Sequence, residues 1–374
     1  MDEIDIIVSG LLCLDLIPRM DHIALGELAT PGRLFEVGPL DISTGGAVSN
    51  TGLALHRLGV NVRLIATVGD DLIGRIIIAF LKDRNPALGE LIAVRPGLAS
   101  AYTIVLTPER VDRIFLHCPE SASAFDIDDI DFPLIGKARI FHLGYPPILP
   151  RLIADDGEQL AAIFQQAKAM GAVTSCDMAV PDPQGKSGQA DWPKILRRAL
   201  PYIDIFIPSV EEILFMLRRA DFDAWGSNAL SYITADYLSA LAGELLDMGS
   251  AIVGFKLGAM GLYVRTAGLA RLDCLHRLPL NRKDWANIRE WRPAFQAKVV
   301  NTTGAGDSCY AGFLTAMLHG MNPADAVRWG NAAGACAVET ADATSGVRSW
   351  EAIERRMESG WAVEALQLPG YVPS

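Results

Sequence analysis

Asn301-Thr302-Thr303-Gly304-Ala305-Gly306-Asp307-Ser308 runs directly into an apolar stretch from Cys309 to Leu318. A turn of small residues opening onto a helix leaves backbone N–H groups without intrahelical acceptors, and the helix dipole adds positive potential there. Such a helix start holds phosphate. Asp307 is the odd member, because a carboxylate would repel that phosphate. It makes sense as the acceptor of a proton from a hydroxyl that attacks phosphorus. The stretch points to a small-molecule kinase. Taken alone, Gly-x-Gly-Asp before a helix also describes a tight turn with an N-capping Asp. The rest of the chain has to decide between the two.

Composition narrows the field. The chain has 374 residues, half of them hydrophobic, and a formal charge of -11. One large α/β domain with insertions fits that length better than a string of small modules. The acidic balance argues against a nucleic-acid backbone or an anionic membrane as the main partner. The six cysteines, Cys13, Cys118, Cys176, Cys274, Cys309 and Cys336, are dispersed and form no Cys-x-x-Cys pair. They suggest buried thiols in a reducing cytoplasm, not a disulfide framework or a zinc site. The start, Met1-Asp2-Glu3-Ile4-Asp5, lacks the basic segment of a signal peptide, and no apolar run reaches membrane-spanning length.

Short β-rich runs alternate with helical patterns. Ile4–Ser9, Val62–Val68, Ile140–Leu143, Val173–Cys176, Ile203–Ile207 and Ile252–Leu257 read as strands. Helices are expected at Ala47–Leu58, Asp155–Met170, Glu211–Arg219 and Asp236–Met248. This alternation predicts a doubly wound, mostly parallel central sheet with helices on both faces. Pro18–Leu40 and Ser100–His117 break the pattern. The second reads as strands Tyr102–Leu106 and Ile114–His117 around a turn through Pro108-Glu109-Arg110. Segments 17–40 and 98–118 are expected to build a small β-sheet lid inserted into one domain spanning 1–374; two ordinary surface hairpins are the plainer alternative. Leu278–Ala297, with Trp285 and Trp291, reads as a surface excursion.

Ligands in open parallel sheets gather at strand carboxyl ends, and the remaining motifs fall there. Gly45-Gly46-Ala47-Val48-Ser49-Asn50 opens the first long helix. Paired glycines let backbone approach a ligand, and Asn50 offers a donor and an acceptor to sugar hydroxyls; a flexible helix entry with a solvated Asn is the plainer alternative. Asp15, beyond the first strand, can accept from two neighbouring hydroxyls, or is simply a surface-loop Asp. Lys256-Leu257-Gly258-Ala259-Met260-Gly261 follows a buried strand and suits a turn beside a flat ligand or a phosphate chain, or only a strand-to-strand turn, with Lys256 either pointing at phosphate or solvated at the strand edge. Asn331 sits among small residues that let a base, or another helix, come close. Glu212, in Ser209-Val210-Glu211-Glu212, either holds Mg²⁺ through water or belongs to a helix cap. No Gly-x-x-x-x-Gly-Lys-Ser/Thr loop, His-Glu-x-x-His or Gly-x-Ser-x-Gly occurs, and no Gly-x-Gly-x-x-Gly follows the first strand.

Taken together, the sequence resembles the PfkB carbohydrate kinases, the ribokinase-like family. One signature runs from Gly45-Gly46 through Asn50 to Gly59, then Val68-Gly69-Asp70-Asp71 and Gly74. The other is Thr302 to Ser308 with Ala311-Gly312-Phe313. The resemblance covers Ile4 to about Met357. It implies a ribokinase-like fold with a β-lid and ATP-dependent phosphorylation of a hydroxymethyl group on a sugar or sugar-like alcohol. By the same resemblance Asp307 is the general base, and the Gly304, Ala305 and Gly306 backbone is the anion hole. Asp15, Gly45, Gly46 and Asn50 are substrate contacts; Lys256, Gly258, Gly261 and Asn331 belong to the nucleotide site. Mg²⁺ would accompany ATP, near Glu212, and the lids of two subunits would pair in a homodimer.

Three departures stand out. The family's Asn-x-x-Glu reads Ser209-Val210-Glu211-Glu212, so the metal-water network can differ. Asn301 replaces an Asp that helps hold a monovalent cation in many members, which puts K⁺ activation in doubt. Asp177-Met178-Ala179 lacks the Asn and the nearby Arg that some members carry, which weighs against a phosphorylated sugar substrate. A nucleoside kinase of the same fold and a non-catalytic sugar- or nucleotide-binding regulator are the rival functions.

Overall fold

The structure, a computed structural model, describes residues 3–20, 22–109, 111 and 114–372. Arg110 of the expected lid turn lies outside that set, as do Asp21, Asp112, Arg113 and two residues at each terminus.

Among the described residues thirteen strands form two sheets. The large one contains β1 (Ile4–Gly10), β4 (Val62–Gly69), β5 (Ile92–Arg95), β8 (Ala138–Gly144), β9 (Val173–Asp177), β10 (Ile205–Phe206), β11 (Ile252–Lys256), β12 (Leu262–Thr266) and β13 (Arg289–Arg292). Its order is β13-β12-β11-β10-β9-β8-β1-β4-β5. All neighbours from β5 to β11 pair in parallel, while β12 and β13 add antiparallel ladders at one edge. The parallel strands are apolar on both faces, since helices cover both. One core packs on the side of helices Gly46–Arg57, Ala305–Leu318 and Pro323–Ala337, another on that of Pro150–Ala169 and Ala235–Asp247. The expected doubly wound architecture is the observed one.

The chain leaves β1 toward β4 and β5, then returns to β8 on the other side. The strand order therefore reverses beside β1, where a crevice opens at the carboxyl ends. Backbones approach closely there: a Cβ on Gly10 would lie 2.2 Å from the Gly144 carbonyl oxygen. Helix Ala305–Leu318 runs from this crevice through the core, with every residue from Asp307 onward buried. Its neighbour presses against it so tightly that a Cβ on Gly312 would meet the Trp329 carbonyl oxygen at 2.6 Å.

The second sheet has the order β3-β2-β6-β7, from β2 (Cys13–Pro18), β3 (Leu40–Gly45), β6 (Tyr102–Leu106) and β7 (Ile114–Cys118). Its outer pairs are antiparallel, and β2 joins β6 in parallel. The first two strands lie at the ends of the Pro18–Leu40 segment. Between them, among the described residues, Gly26, Pro31, Gly32 and Pro39 interrupt any ladder, and a short helical turn forms at Leu25–Ala29.

Three expectations need correction. Only Ile205–Phe206 of Ile203–Ile207 joins the ladder, because Ile203 closes a turn begun at Leu200 and Asp204 bonds its neighbours irregularly. The helix expected from Asp155 begins at Pro150 and is broken at Ala154–Gly157, where Asp155, Asp156 and Gly157 are left-handed. The Arg198 guanidinium donates to the freed carbonyl oxygens of Asp155 and Asp156. Leu278–Ala297 is no surface excursion. It supplies edge strand β13, Trp285 is 1% exposed, and the Trp291 indole donates to the Met260 carbonyl oxygen at 2.9 Å.

Candidate active site

A cavity of about 630 Å³ lies at the carboxyl ends of β8 to β11. Tyr145 follows β8, Glu212 follows β10, Lys256 ends β11, and Gly304 to Asp307 start the central helix; all line it. Gly258, Gly261 and Asn331 line the same cavity. Strand topology thus gathers residues that are more than a hundred positions apart.

Asp307 is 2% exposed at the cavity floor. Its Oδ2 accepts from Asn50 Nδ2 at 3.1 Å and from the Tyr145 hydroxyl at 2.7 Å. Oδ1 accepts from Thr51 Oγ1 at 3.3 Å. A carboxylate has about four acceptor positions, so these donors hold it in one orientation and leave room for one further hydroxyl. Burial, then the Asp307 charge, raise the Tyr145 pKa well above its usual value, so Tyr145 stays a donor. Tyr145 has φ +64°, a left-handed backbone that a bulky residue adopts only under constraint. Neither Tyr145 nor Thr51 stood out in the sequence. Their signals were position alone: Tyr145 directly follows a strand, and Thr51 follows Asn50.

Gly304 caps the helix with φ +76°. The Ala305 N–H donates to the Thr302 carbonyl oxygen at 3.2 Å, so an anion must compete with that bond for this amide. A Cβ on Gly304 would lie 2.5 Å from the Ala343 carbonyl oxygen. Gly304→Ala is therefore expected to lose about 1–3 kcal/mol of stability from backbone strain. It should also lower turnover roughly 10²-fold by displacing the amides that follow. Chemical denaturation and steady-state kinetics on the same preparation check both.

Lys256 is neither a solvated strand-edge lysine nor a free cation. Its Nζ lies 2.6 Å from both oxygens of the buried Asp177. A Cβ built on Gly306 would be 3.4 Å from that Nζ, which puts the ammonium against the Gly304–Gly306 turn. Burial disfavours the ammonium, but Asp177, Glu212 and Asp307 together outweigh it and hold the Lys256 pKa above its usual value. Burial pushes the Asp177 carboxyl up, to about 7, against the pull of Lys256. Asp177 was noticed only for its departure from the family pattern; here it anchors the one lysine of the cavity floor.

Glu212 Oε2 accepts from the Ser209 N–H at 2.7 Å in a capping box. Burial raises its pKa, and so does the nearby Asp307. Three carboxylates therefore surround one ammonium. That surplus of negative charge suits a hydrated divalent cation carried in with a nucleotide. Among the described residues no cluster of three or more His, Cys, Asp or Glu side chains forms a direct metal cage, and Mg²⁺ keeps most of its water in such sites.

The cavity lining does not include the predicted Asp15, Gly45, Gly46 and Asn50; Asp15 and Gly45 sit on lid strands β2 and β3, Gly46 opens the helix that follows, and from that helix Asn50 reaches Asp307. Toward the lid, a Cβ on Gly45 would strike Asp15 Oδ2 at 2.2 Å, so Asp15 lies flat on the Gly45 backbone. Gly46, at φ +82°, would strike the Leu11 carbonyl oxygen at 2.4 Å if it carried a Cβ. Asn50 links this end to Asp307, and its Oδ1 is buried without a partner in the structure. At the far end Gly261, φ +85°, lies 2.0 Å from Arg292 O by the same measure, and Asn331 Nδ2 donates to the carbonyl oxygens of Arg292 and Pro293. Asn331 thereby fastens the end of β13 to its helix. Ala294, Phe295, Val338 and Ala335 make this end apolar.

His142 lies beneath the floor, bonded through Nδ1 to Ser175 Oγ at 3.0 Å. Complete burial, reinforced by the Lys256 charge, lowers its pKa to about 3. The folded protein keeps this ring neutral while the unfolded chain takes up a proton below about pH 6.5. Stability should therefore fall on acidification between about pH 6.5 and 3, with this group contributing up to about 1.4 kcal/mol per pH unit. Denaturation midpoints of wild type and His142→Asn across that range test it, and the variant should show the shallower slope.

The chain belongs to the pfkB family of carbohydrate kinases, whose model matches residues 4–350. It is 24% identical over 361 residues to a probable chloroplastic fructokinase of Arabidopsis thaliana, covering 94% of this chain and 82% of that one. It is 23% identical over 327 residues to the 2-dehydro-3-deoxygluconokinase of Bacillus subtilis, with 86% and 90% covered. Among solved structures it is similar to the Arabidopsis thaliana ribokinase complexed with ribose and ATP, with a TM-score of 0.70 at 16% identity over 94% of this chain and 98% of that one. A putative ribokinase II of E. coli in complex with ATP and Mg²⁺ gives 0.67 at 20% identity, with 95% and 99% covered.

Proposed function

We propose that this protein transfers the γ-phosphoryl group of ATP to a hydroxymethyl oxygen of a sugar or sugar-like alcohol. The observation that carries the reading is the floor of the cavity, where a triply hydrogen-bonded Asp307 meets an anion-hole turn and the Lys256 ammonium. The acceptor lies toward the lid, between Asp15, the Gly45-Gly46 backbone and Asn50. Its hydroxyl takes the remaining acceptor position on Asp307. As the oxygen bonds to the γ-phosphorus, its proton passes to Asp307 and the bond to the β–γ bridging oxygen breaks, with the electron pair leaving on ADP. The Gly304–Gly306 turn and Lys256 stabilise the charge on the transferring group. The base of ATP occupies the apolar end near Phe295, with Gly258, Gly261 and Asn331 shaping its wall. Mg²⁺, held near Glu212 through water, would neutralise phosphate charge when bound.

The reading makes the chain one catalytic unit, with the second sheet as its lid and a homodimer contact on that lid, where Phe115 and Leu116 are exposed. Dispersed free cysteines suit a reducing cytoplasm, and among the described residues no helix is long and apolar enough to cross a membrane. Screening ADP release across sugars, sugar acids and nucleosides tests the proposal. Turnover with a sugar or sugar acid supports it. Turnover confined to nucleosides points to the nucleoside-kinase alternative, and binding without turnover to a regulator.

A further inference from the structure

Two loops meet beside the anion-hole turn: residues 301–303, which precede it, and residues 340–345, which follow helix Pro323–Ala337. Val300 N and Asn301 N donate to the Val338 carbonyl oxygen at 2.8 and 3.2 Å. The Asp342 carboxylate accepts from Thr344 N and Ser345 N, and Ala343 packs directly against Gly304. The second loop thus braces the phosphate cradle from behind.

Asn301 joins the two loops. The residue is 7% exposed. Its Nδ2 donates to the Ala341 carbonyl oxygen at 2.8 Å, and its Oδ1 accepts from the Thr303 N–H at 3.0 Å. Both partners are backbone groups, so the amide orientation is fixed. Turned over, it would set an NH₂ against an N–H and an oxygen against a carbonyl oxygen.

An aspartate in this place would keep the Thr303 bond through one oxygen. Its other oxygen would face the Ala341 carbonyl oxygen across the same 2.8 Å, two acceptors with no hydrogen between them. A buried contact of that kind is repulsive unless a cation coordinates both oxygens or the carboxyl takes up a proton. Here the amide N–H, with its partial positive charge, satisfies the carbonyl oxygen by a hydrogen bond. A monovalent cation does not fit these residues, because a donor stands where the ion would need an oxygen.

We infer that Asn301 does the work of a monovalent cation, so that this enzyme is independent of K⁺, and that Asn301→Asp converts it into a cation-dependent one. The activity part rests on the proposed kinase reading; the stability part does not.

The experiment compares wild type, Asn301→Asp and Asn301→Ala in tetramethylammonium buffer and after exchange to K⁺ at equal ionic strength. Melting temperature is measured first, then turnover with whichever acceptor releases ADP. Wild type should change in neither. Asn301→Asp should melt lower in tetramethylammonium, regain several degrees in K⁺, and gain about tenfold in turnover with it. Asn301→Ala should melt lower in both buffers. A wild type that gains stability or about tenfold activity from K⁺ overturns the inference, and so does a folded Asn301→Asp indifferent to K⁺. If Asn301→Asp is insoluble, the K⁺ response of wild type still decides. If no acceptor is turned over, the kinase reading fails while the melting temperatures continue to test the amide bridge.

Discussion

Asp307→Asn should lower kcat by about a thousandfold while leaving ATP affinity nearly unchanged. General base catalysis by a positioned carboxylate contributes roughly 10²- to 10⁴-fold. The asparagine keeps the size of the side chain but cannot take the proton of the attacking hydroxyl. Both Asp307 oxygens accept hydrogen bonds, from Asn50, Tyr145 and Thr51. The amide NH₂ can take the place of Oδ1, where the Thr51 hydroxyl can turn to accept from it, so the loss of stability should be small. Separate measurement of kcat and the ATP dissociation constant isolates the chemical step. Turnover near that of wild type would remove Asp307 from the role of base.

Lys256→Met has the next largest expected effect, on stability and turnover together. Removing the ammonium leaves Asp177 buried without its 2.6 Å partner. Breaking a buried pair in this way typically costs about 3–5 kcal/mol. Turnover of the protein that remains folded should fall about 10²- to 10³-fold, since the ammonium stands against the Gly306 turn, where the proposed transfer would develop phosphoryl charge. The double variant Lys256→Met/Asp177→Asn separates the two effects. It removes the stranded carboxyl charge and should recover much of the stability but none of the activity. Recovery of both would make Lys256 a purely structural residue.

The alternation of strands and helices was legible because parallel strands buried on both faces read as continuous apolar runs. The Gly45–Asn50 and Asn301–Ser308 stretches were legible because close backbone approach leaves glycine as a mark. Residues held by tertiary context left no local mark. Trp285 and Trp291 looked like part of a loop, yet β12 recruits their segment as an edge strand. Asp177 and Lys256 are 79 positions apart and meet only because β9 and β11 flank β10. Tyr145 reaches Asp307 across 162 positions, through a left-handed backbone that no sequence pattern announces. The irregular ladder around Asp204 and the break at Asp155 likewise depend on partners supplied by distant strands and by Arg198.

The central claim is that Asp307 and its cradle join a γ-phosphoryl group to a primary alcohol. Phosphorus NMR of the product, run on the acceptor that releases ADP, tests it most directly. The account predicts one phosphomonoester on a hydroxymethyl carbon for each ADP formed, and almost none with Asp307→Asn. Free phosphate in place of the ester, or an ester formed equally fast by Asp307→Asn, would contradict it.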